Sequence, residues 1–296
     1  MSDLQFSPIS LDRMHEYNER FAKCPSPSSD YSFTNLWGWA EEYGLEWAWS
    51  ATHVWVRQTR PDVRYWAPLG PWNEVDWSQC PHLKAGERVY NRVPQQLMEL
   101  WQAQLGDRVQ VEEARGQWDY LYSAEELATL SGNKFHKKKN HVNQFKKQYL
   151  FEYHPLTPDC VEHVIALQEE WCQWRECEES EALLAENEAI VRVLEEWDVI
   201  PGLVGGAIYI DGEMAAYTVG EKLTDDTLVV HFEKARNGYR GAYQAINNLF
   251  VAAEGADYTY VNREQDLDDE GLRKAKLSYH PVDFLRKYTV KVAPAS

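Results

Sequence analysis

Two adjacent residues, Asp211 and Gly212, constrain this chain more than any other pair. They stand between Leu203–Ile210 and Glu213–Gly220, two runs rich in apolar and β-branched residues. Asp-Gly supplies the left-handed backbone of a two-residue turn, so the two runs are expected to pair antiparallel. Leu228–Lys234 reads as a third strand. A glycine-containing loop, Asn237–Gly241, then leads into a helix with Ile246, Leu249, Phe250 and Ala253 at helical spacing. A strand over Asp257–Arg263, a helix over Asp269–Tyr279 and a strand over Phe284–Val292 complete the order. Ahead of the hairpin, Phe135, Val142, Phe145 and Tyr149 share one face of a helix. Phe151–His154 is strand-like, and Thr157-Pro158 starts a helix that runs to about Trp174.

The first half repeats part of this order. Strands over Leu45–Trp49, Val54–Gln58 and Val63–Pro68 precede a helix over Val93–Leu105. Strands over Val109–Glu113 and Trp118–Ser123 and a short helix over Ala124–Leu130 follow. Eight of the 13 tryptophans lie between Trp37 and Trp77, and large aromatics on short alternating segments point to a β core. The expected fold class is α+β, two tandem domains of mixed sheets flanked by helices. The expected boundary lies near 150: a Trp-rich domain over 1–150, and a domain over 151–296 that carries the site.

Charge limits the partners. A net charge of −17 argues against broad coating of nucleic acid or anionic membrane, and against stable DNA binding. The average conceals segregation. Residues 127–151 contain no acid, and six lysines fall between Lys134 and Lys147. Residues 162–198 carry twelve acids against two arginines. No apolar run approaches the ~18 residues of a membrane span, and the N-terminus does not read as a signal peptide. A cytoplasmic location is expected. The five cysteines include no CxxC pair, so reduced, mostly buried thiols are expected. No metal motif occurs, and His136 and His141 stand among lysines that would repel a cation.

Several groups suit a site for an anionic, phosphate-containing substrate. In Arg236-Asn-Gly-Tyr-Arg-Gly-Ala-Tyr243, Gly241 opens a helix whose N-terminus favours phosphate, with Arg236, Arg240 and Tyr243 beside it. Lys137, Lys138, Lys139, Asn140 and His141 form a basic surface, as do Arg273, Lys274 and Lys276. A solvated helix face is the plain alternative for both. Asn262, Arg263 and Glu264 close a strand. Glu264 or Glu233 could accept a proton from a nucleophile, and Asn262 could orient a carbonyl. Tyr279 would be protonated at neutral pH and could act as a general acid, although Leu272, Ala275 and Tyr279 also have the spacing of a buried helix face.

The element order of the second half resembles the GNAT acyltransferase fold, and Ala275-Lys-Leu-Ser-Tyr-His-Pro-Val-Asp-Phe284 is similar to its Ala-x-x-Leu-Tyr-x-x-x-Gly-Phe stretch. A longer resemblance rests on Tyr31-Ser-Phe-Thr-Asn-Leu-Trp37, Lys137-Lys-Lys-Asn-His141, Asn262-Arg-Glu-Gln-Asp-Leu267 and Gly271–Pro281. These strings are similar to the family named for the phosphatidylglycerol lysyltransferase C-terminal domain, which resembles two fused GNAT-like domains, as in the Fem-type aminoacyl transferases. The resemblance implies an aminoacyltransferase with no tightly bound cofactor. Its donor would be aminoacyl-tRNA, and its acceptor an amine or hydroxyl such as a phospholipid headgroup, reached by transient contact with membrane lipid. An acyl-CoA-dependent N-acyltransferase and a non-catalytic anion-binding protein are the alternatives.

Overall fold

The computed structural model describes residues 4–84 and 86–295. In chain order the elements are β1 (Ser7–Pro8), α1 (Met14–Phe21), α2 (Phe33–Gly38), β2 (Glu46–Trp49), β3 (Val54–Gln58), β4 (Arg64–Trp66), β5 (Arg88–Pro94), α3 (Gln95–Leu105), β6 (Val109–Glu113), β7 (Asp119–Ser123), α4 (Ala124–Thr129) and α5 (His136–Gln148). They continue with β8 (Phe151–Pro155), α6 (Val161–Arg175), α7 (Glu181–Glu195), β9 (Leu203–Ile210), β10 (Glu213–Lys222), β11 (Thr227–Ala235), α8 (Ala242–Glu254), β12 (Tyr260–Asn262), α9 (Glu270–Leu277), β13 (Asp283–Leu285) and β14 (Lys287–Val292).

Two seven-stranded mixed sheets result, ordered β1-β2-β3-β4-β5-β14-β6 and β8-β9-β10-β11-β12-β7-β13. The sixth strand of each sheet comes from the other half of the sequence. The units therefore differ from the expected 1–150 and 151–296. One comprises Met1–Asp119, Gln265–Asp269 and Leu285–Ser296, the other Tyr120–Glu264 and Glu270–Phe284. The expected strand Phe284–Val292 is two strands serving two sheets, and a break at Arg286 lets the chain pass between them. Helix α3 begins at Gln95, because Arg88–Pro94 is a strand and Pro94 caps the helix. The hairpin at Asp211-Gly212 is present, with Ile210 opposite Glu213.

Helix α7 went unread among the acids of 162–198. Its signal is the spacing of Ala185, Ala189, Ile190, Val193 and Leu194, all buried, after the cap Ser180, whose hydroxyl accepts from the Leu183 N–H. The cysteine reading needs correction as well. Cys172 and Cys177 form a disulfide, because the chain reverses through Glu176 in a left-handed conformation and brings their Cα atoms to 5.1 Å.

In the first unit Trp47, Trp72, Trp77 and Trp101 are fully buried. Trp77 packs edge-on against Trp101, and Trp101 against Tyr90. The first unit also holds a buried charge network. Lys287, at the start of β14, bonds to Asp30 and to Asp119 (2.6 Å), and Arg92 bonds to Asp30. Burial would raise the Asp30 carboxyl, but Lys287 and Arg92 hold it below its ordinary value. Lys287→Met leaves Asp119 and Asp30 buried without the ammonium between them. Urea denaturation should show a loss of about 3–5 kcal/mol. Adding Asp30→Asn and Asp119→Asn should recover much of it, and a single-variant loss below about 1 kcal/mol would show that the network is not an anchor.

Candidate functional site

Each unit contains one parallel strand pair that separates. In the first, β4 and β5 pair at Tyr65↔Tyr90 and Trp66↔Asn91. At the next position a side chain fills the gap. The Tyr31 hydroxyl accepts from the Ala67 N–H (2.8 Å) and donates to the Arg92 carbonyl (3.0 Å). Tyr31 opens one of the strings that carry the family resemblance, and here it bonds both strands where their ladder ends.

In the second unit β11 and β12 pair at Thr227↔Tyr260, Leu228↔Val261 and Val229↔Asn262, and then part. Both β5 and β12 reach this point with Asn-Arg, Asn91-Arg92 and Asn262-Arg263. In the second unit, ionisable side chains cross the gap. His231 lies between Glu264 (2.8 Å) and Glu221 (2.9 Å), and Arg263 donates to Glu233 (3.1 Å). His231 is the extra residue of a β-bulge: Val219 pairs with Phe232 and Gly220 with Val230, which skips the histidine. A side chain at Gly220 would meet the Val229 carbonyl at 2.3 Å, so the bulge needs glycine opposite it.

Around Arg263 the groups converge. Its guanidinium lies 4.9 Å from the Tyr279 ring and 5.9 Å from that of Tyr122. Glu233 also accepts from the Asn247 amide (3.0 Å) on α8. Lys138, from α5, places its ammonium 4.0 Å over the Tyr279 ring. Burial and the nearby Arg263 lower Lys138 to about 8. Burial pushes the Tyr279 hydroxyl up to about 12, with Glu233 adding to the rise and Arg263 opposing it. Tyr279 thus stays protonated throughout the neutral range, while Lys138 begins to lose its charge just above it. Lys276 bonds the Arg263 carbonyl, and Tyr122 donates to the Lys276 carbonyl (2.9 Å).

The structure therefore brings Glu233, Arg263, Tyr279, Lys138 and Lys276 together, with Glu264 and Asn262 adjoining. The Asn262 side chain accepts from the Glu264 N–H (2.8 Å) and supports that residue's left-handed backbone. Other expected residues lie apart. Arg236 is committed to Glu170 and Glu213. Arg240, Lys137, Lys139, Asn140 and Lys274 are exposed, and Arg273 is half-buried. Tyr243 accepts from the Trp171 indole (2.8 Å). Gly241 is explained by packing: it has φ +89°, and a side chain there would meet the His141 carbonyl at 2.9 Å. Of the spacing shared by Leu272, Ala275 and Tyr279, only Tyr279 is buried. His231, Glu221, Asn247 and Tyr122 were missed. A histidine inside the apolar run Leu228–Phe232 was the available signal. Among the described residues no cluster of His, Cys, Asp and Glu is arranged for a metal ion.

Burial alone would lower His231, but its two carboxylate partners raise it to about 10. A folded-state value above the unfolded one stabilises the fold fully below the unfolded value of about 6.5, and that stability is lost as pH climbs toward 10. Thermal melts between pH 6.5 and 10 should therefore decline, and His231→Gln should flatten the decline. Parallel curves for the two proteins would refute the ion-paired imidazolium.

No helix among the described residues is long and apolar enough to cross a membrane. A crystal structure of a conserved protein of unknown function from Bacteroides thetaiotaomicron is 31% identical, with a TM-score of 0.90 over 98% of this chain and 100% of that one. The structure of L-PGS from Bacillus licheniformis matches at 11% identity and a TM-score of 0.66 over 100% of this chain and 95% of that one. FemX matches at 8% identity and a TM-score of 0.61 over 97% of each. An uncharacterised protein of Mycoplasmoides gallisepticum is 26% identical over 175 residues, which is 59% of this chain and 56% of that protein. The expected tandem GNAT-like fold, two mixed sheets flanked by helices, holds. The family model of the phosphatidylglycerol lysyltransferase C-terminal region matches residues 21–291, and the chain belongs to that family.

Proposed function

We propose that the chain is an aminoacyl transferase whose reaction runs in the second unit. It would move an aminoacyl group from aminoacyl-tRNA to an amine or hydroxyl acceptor such as a phospholipid headgroup. The observation that carries this reading is the contrast between the two strand gaps. Tyr31 bonds the backbone of both strands in the first, whereas the second holds Glu233, Arg263, Tyr279 and Lys138. Family membership and the fold of FemX and L-PGS support transfer of an acyl group to a nucleophile.

In this reading Arg263 and Lys138 attract the donor's phosphates and stabilise charge developing on the reacting carbonyl. Glu233 receives the nucleophile's proton. It is preferred over Glu264 because it shares the cluster with Tyr279, while Glu264 is tied to His231. Tyr279 donates to the leaving oxygen, and a hydroxyl held near 12 is well suited to keep its proton until that step.

Deacylation of charged tRNA in the presence of phospholipid vesicles tests this. Tyr279→Phe should slow transfer on the order of 10²–10⁴-fold with donor binding little changed. Turnover of acyl-CoA with charged tRNA left intact would favour acyl-CoA as donor, and release from neither would sink the transferase reading. The pH dependence is separable. Lys138 is charged below about 8 and loses its charge above, so binding of deacylated tRNA should weaken as pH passes through 8. Lys138→Arg should remove that step.

A further inference from the structure

Helix α5 runs away from the site that its own Lys138 enters. Lys138 lies in the first turn, with its ammonium over the Tyr279 ring. A rise of about 1.5 Å per residue puts Lys147 about 14 Å farther along the axis. Buried Val142 and Phe145 fix the helix in place, and Phe145 packs with Ala242, Ala245 and Ile246 of α8.

What α5 shows to solvent is chemically uniform. Every exposed residue of the helix is a lysine, an amide or His136, and none is acidic or apolar. Among the described residues Lys137, Lys139, Lys146 and Lys147 form no ion pair. Lys134, just before the helix, is paired with Glu126, and the surface lysines Lys222 and Lys291 are paired with Asp225 and Glu87. In a chain of net charge −17 carboxylates are in excess, yet none is set against the α5 lysines. Helix α8, against which α5 packs, has one acid, Glu254, in its last position. The arrangement is costly in isolation. Cations in a first turn oppose the helix dipole, and α5 has neither an acid there nor a side-chain cap.

A polyanion supplies the missing charge. A bilayer surface would reward apolar side chains beside the cations, and α5 exposes none. A nucleic-acid backbone is met by lysines and by amides, both of which bond phosphate and sugar oxygens. We propose that the outer face of α5 is a docking surface for RNA backbone phosphates, along which the body of a tRNA lies while its acylated end reaches Lys138 and Arg263. This inference rests on the proposed aminoacyl-tRNA donor and adds where that donor is gripped outside the strand gap.

The test titrates deacylated tRNA onto the chain at several salt concentrations. Lys137→Gln, Lys139→Gln, Lys146→Gln and Lys147→Gln combined should make the slope of log K against log salt shallower by about 3, a weakening on the order of 10²–10³-fold near 100 mM salt. Thermal melts check that the variant is folded. Lys222→Gln with Lys291→Gln, which removes charge from paired lysines, should leave the slope unchanged, as should Tyr279→Phe. Charged tRNA held through the α5 lysines but never deacylated would leave this surface standing and sink the transferase reading. Deacylation with a salt slope indifferent to the α5 substitutions would do the reverse. No binding of tRNA, a loss of slope as large in the Lys222 and Lys291 control, or lysine-dependent binding of phosphatidylglycerol vesicles with tRNA binding untouched would also overturn the proposal.

Discussion

Where two parallel strands part, each loses the ladder partner for its backbone N–H and C=O groups, and those groups need other partners. Both units of this protein meet that constraint at the same place, after an asparagine followed by an arginine. In the first unit the Tyr31 hydroxyl accepts from one strand and donates to the other. In the second unit Lys276 bonds the Arg263 carbonyl, and across the gap the side chains of His231, Glu264, Glu233 and Arg263 bond one another. A tyrosine bonded to both backbones is a closed solution. Carboxylates, an imidazolium and a guanidinium are groups that can exchange partners with a ligand, and the rest of the candidate site is arranged around them.

Charge follows the same division. In the first unit Asp30, Asp119, Arg92 and Lys287 neutralise one another away from water, which ties the last strand into its sheet. A buried network of this kind contributes register and placement more than net stability. In the second unit the Arg263–Glu233 pair lies beside Tyr279 and Lys138, whose protonation is displaced in opposite directions. Burial disfavours the charged form of each group, so it raises a phenol and lowers an ammonium. Pairs of titratable groups pushed apart in this way are a recurrent property of sites that move protons.

Parts of the site were legible before the fold. Glu233, Arg263, Glu264 and Tyr279 could be named because strand ends and the helix after them are where the element order puts chemistry. Lys138 could be named only with its neighbours, because three consecutive lysines look alike in a string. Helix phase decides that Lys138 faces Tyr279 while Lys137 and Lys139 face water. His231 was marked only by being a histidine in an apolar run, because the bulge that singles it out has no local signature. The glycine loop reads two ways for a related reason: Gly241 lies in a close approach to α5, and a glycine required for packing reads the same as one required for phosphate.

Local rules were enough for the hairpin at Asp211-Gly212, the Trp-rich β core, the helix and strand order of the second half and the family. Each rests on residues close in sequence or on their periodicity. The exchange of β7 and β14 between sheets, the Cys172–Cys177 pairing and the filling of one strand gap by Tyr31 needed the tertiary structure. These join residues far apart in the chain, or depend on a left-handed turn at a non-glycine residue such as Glu176. Which partner a distant strand or side chain finds is settled by burial and hydrogen-bond satisfaction over the whole unit, and no window of sequence contains that sum.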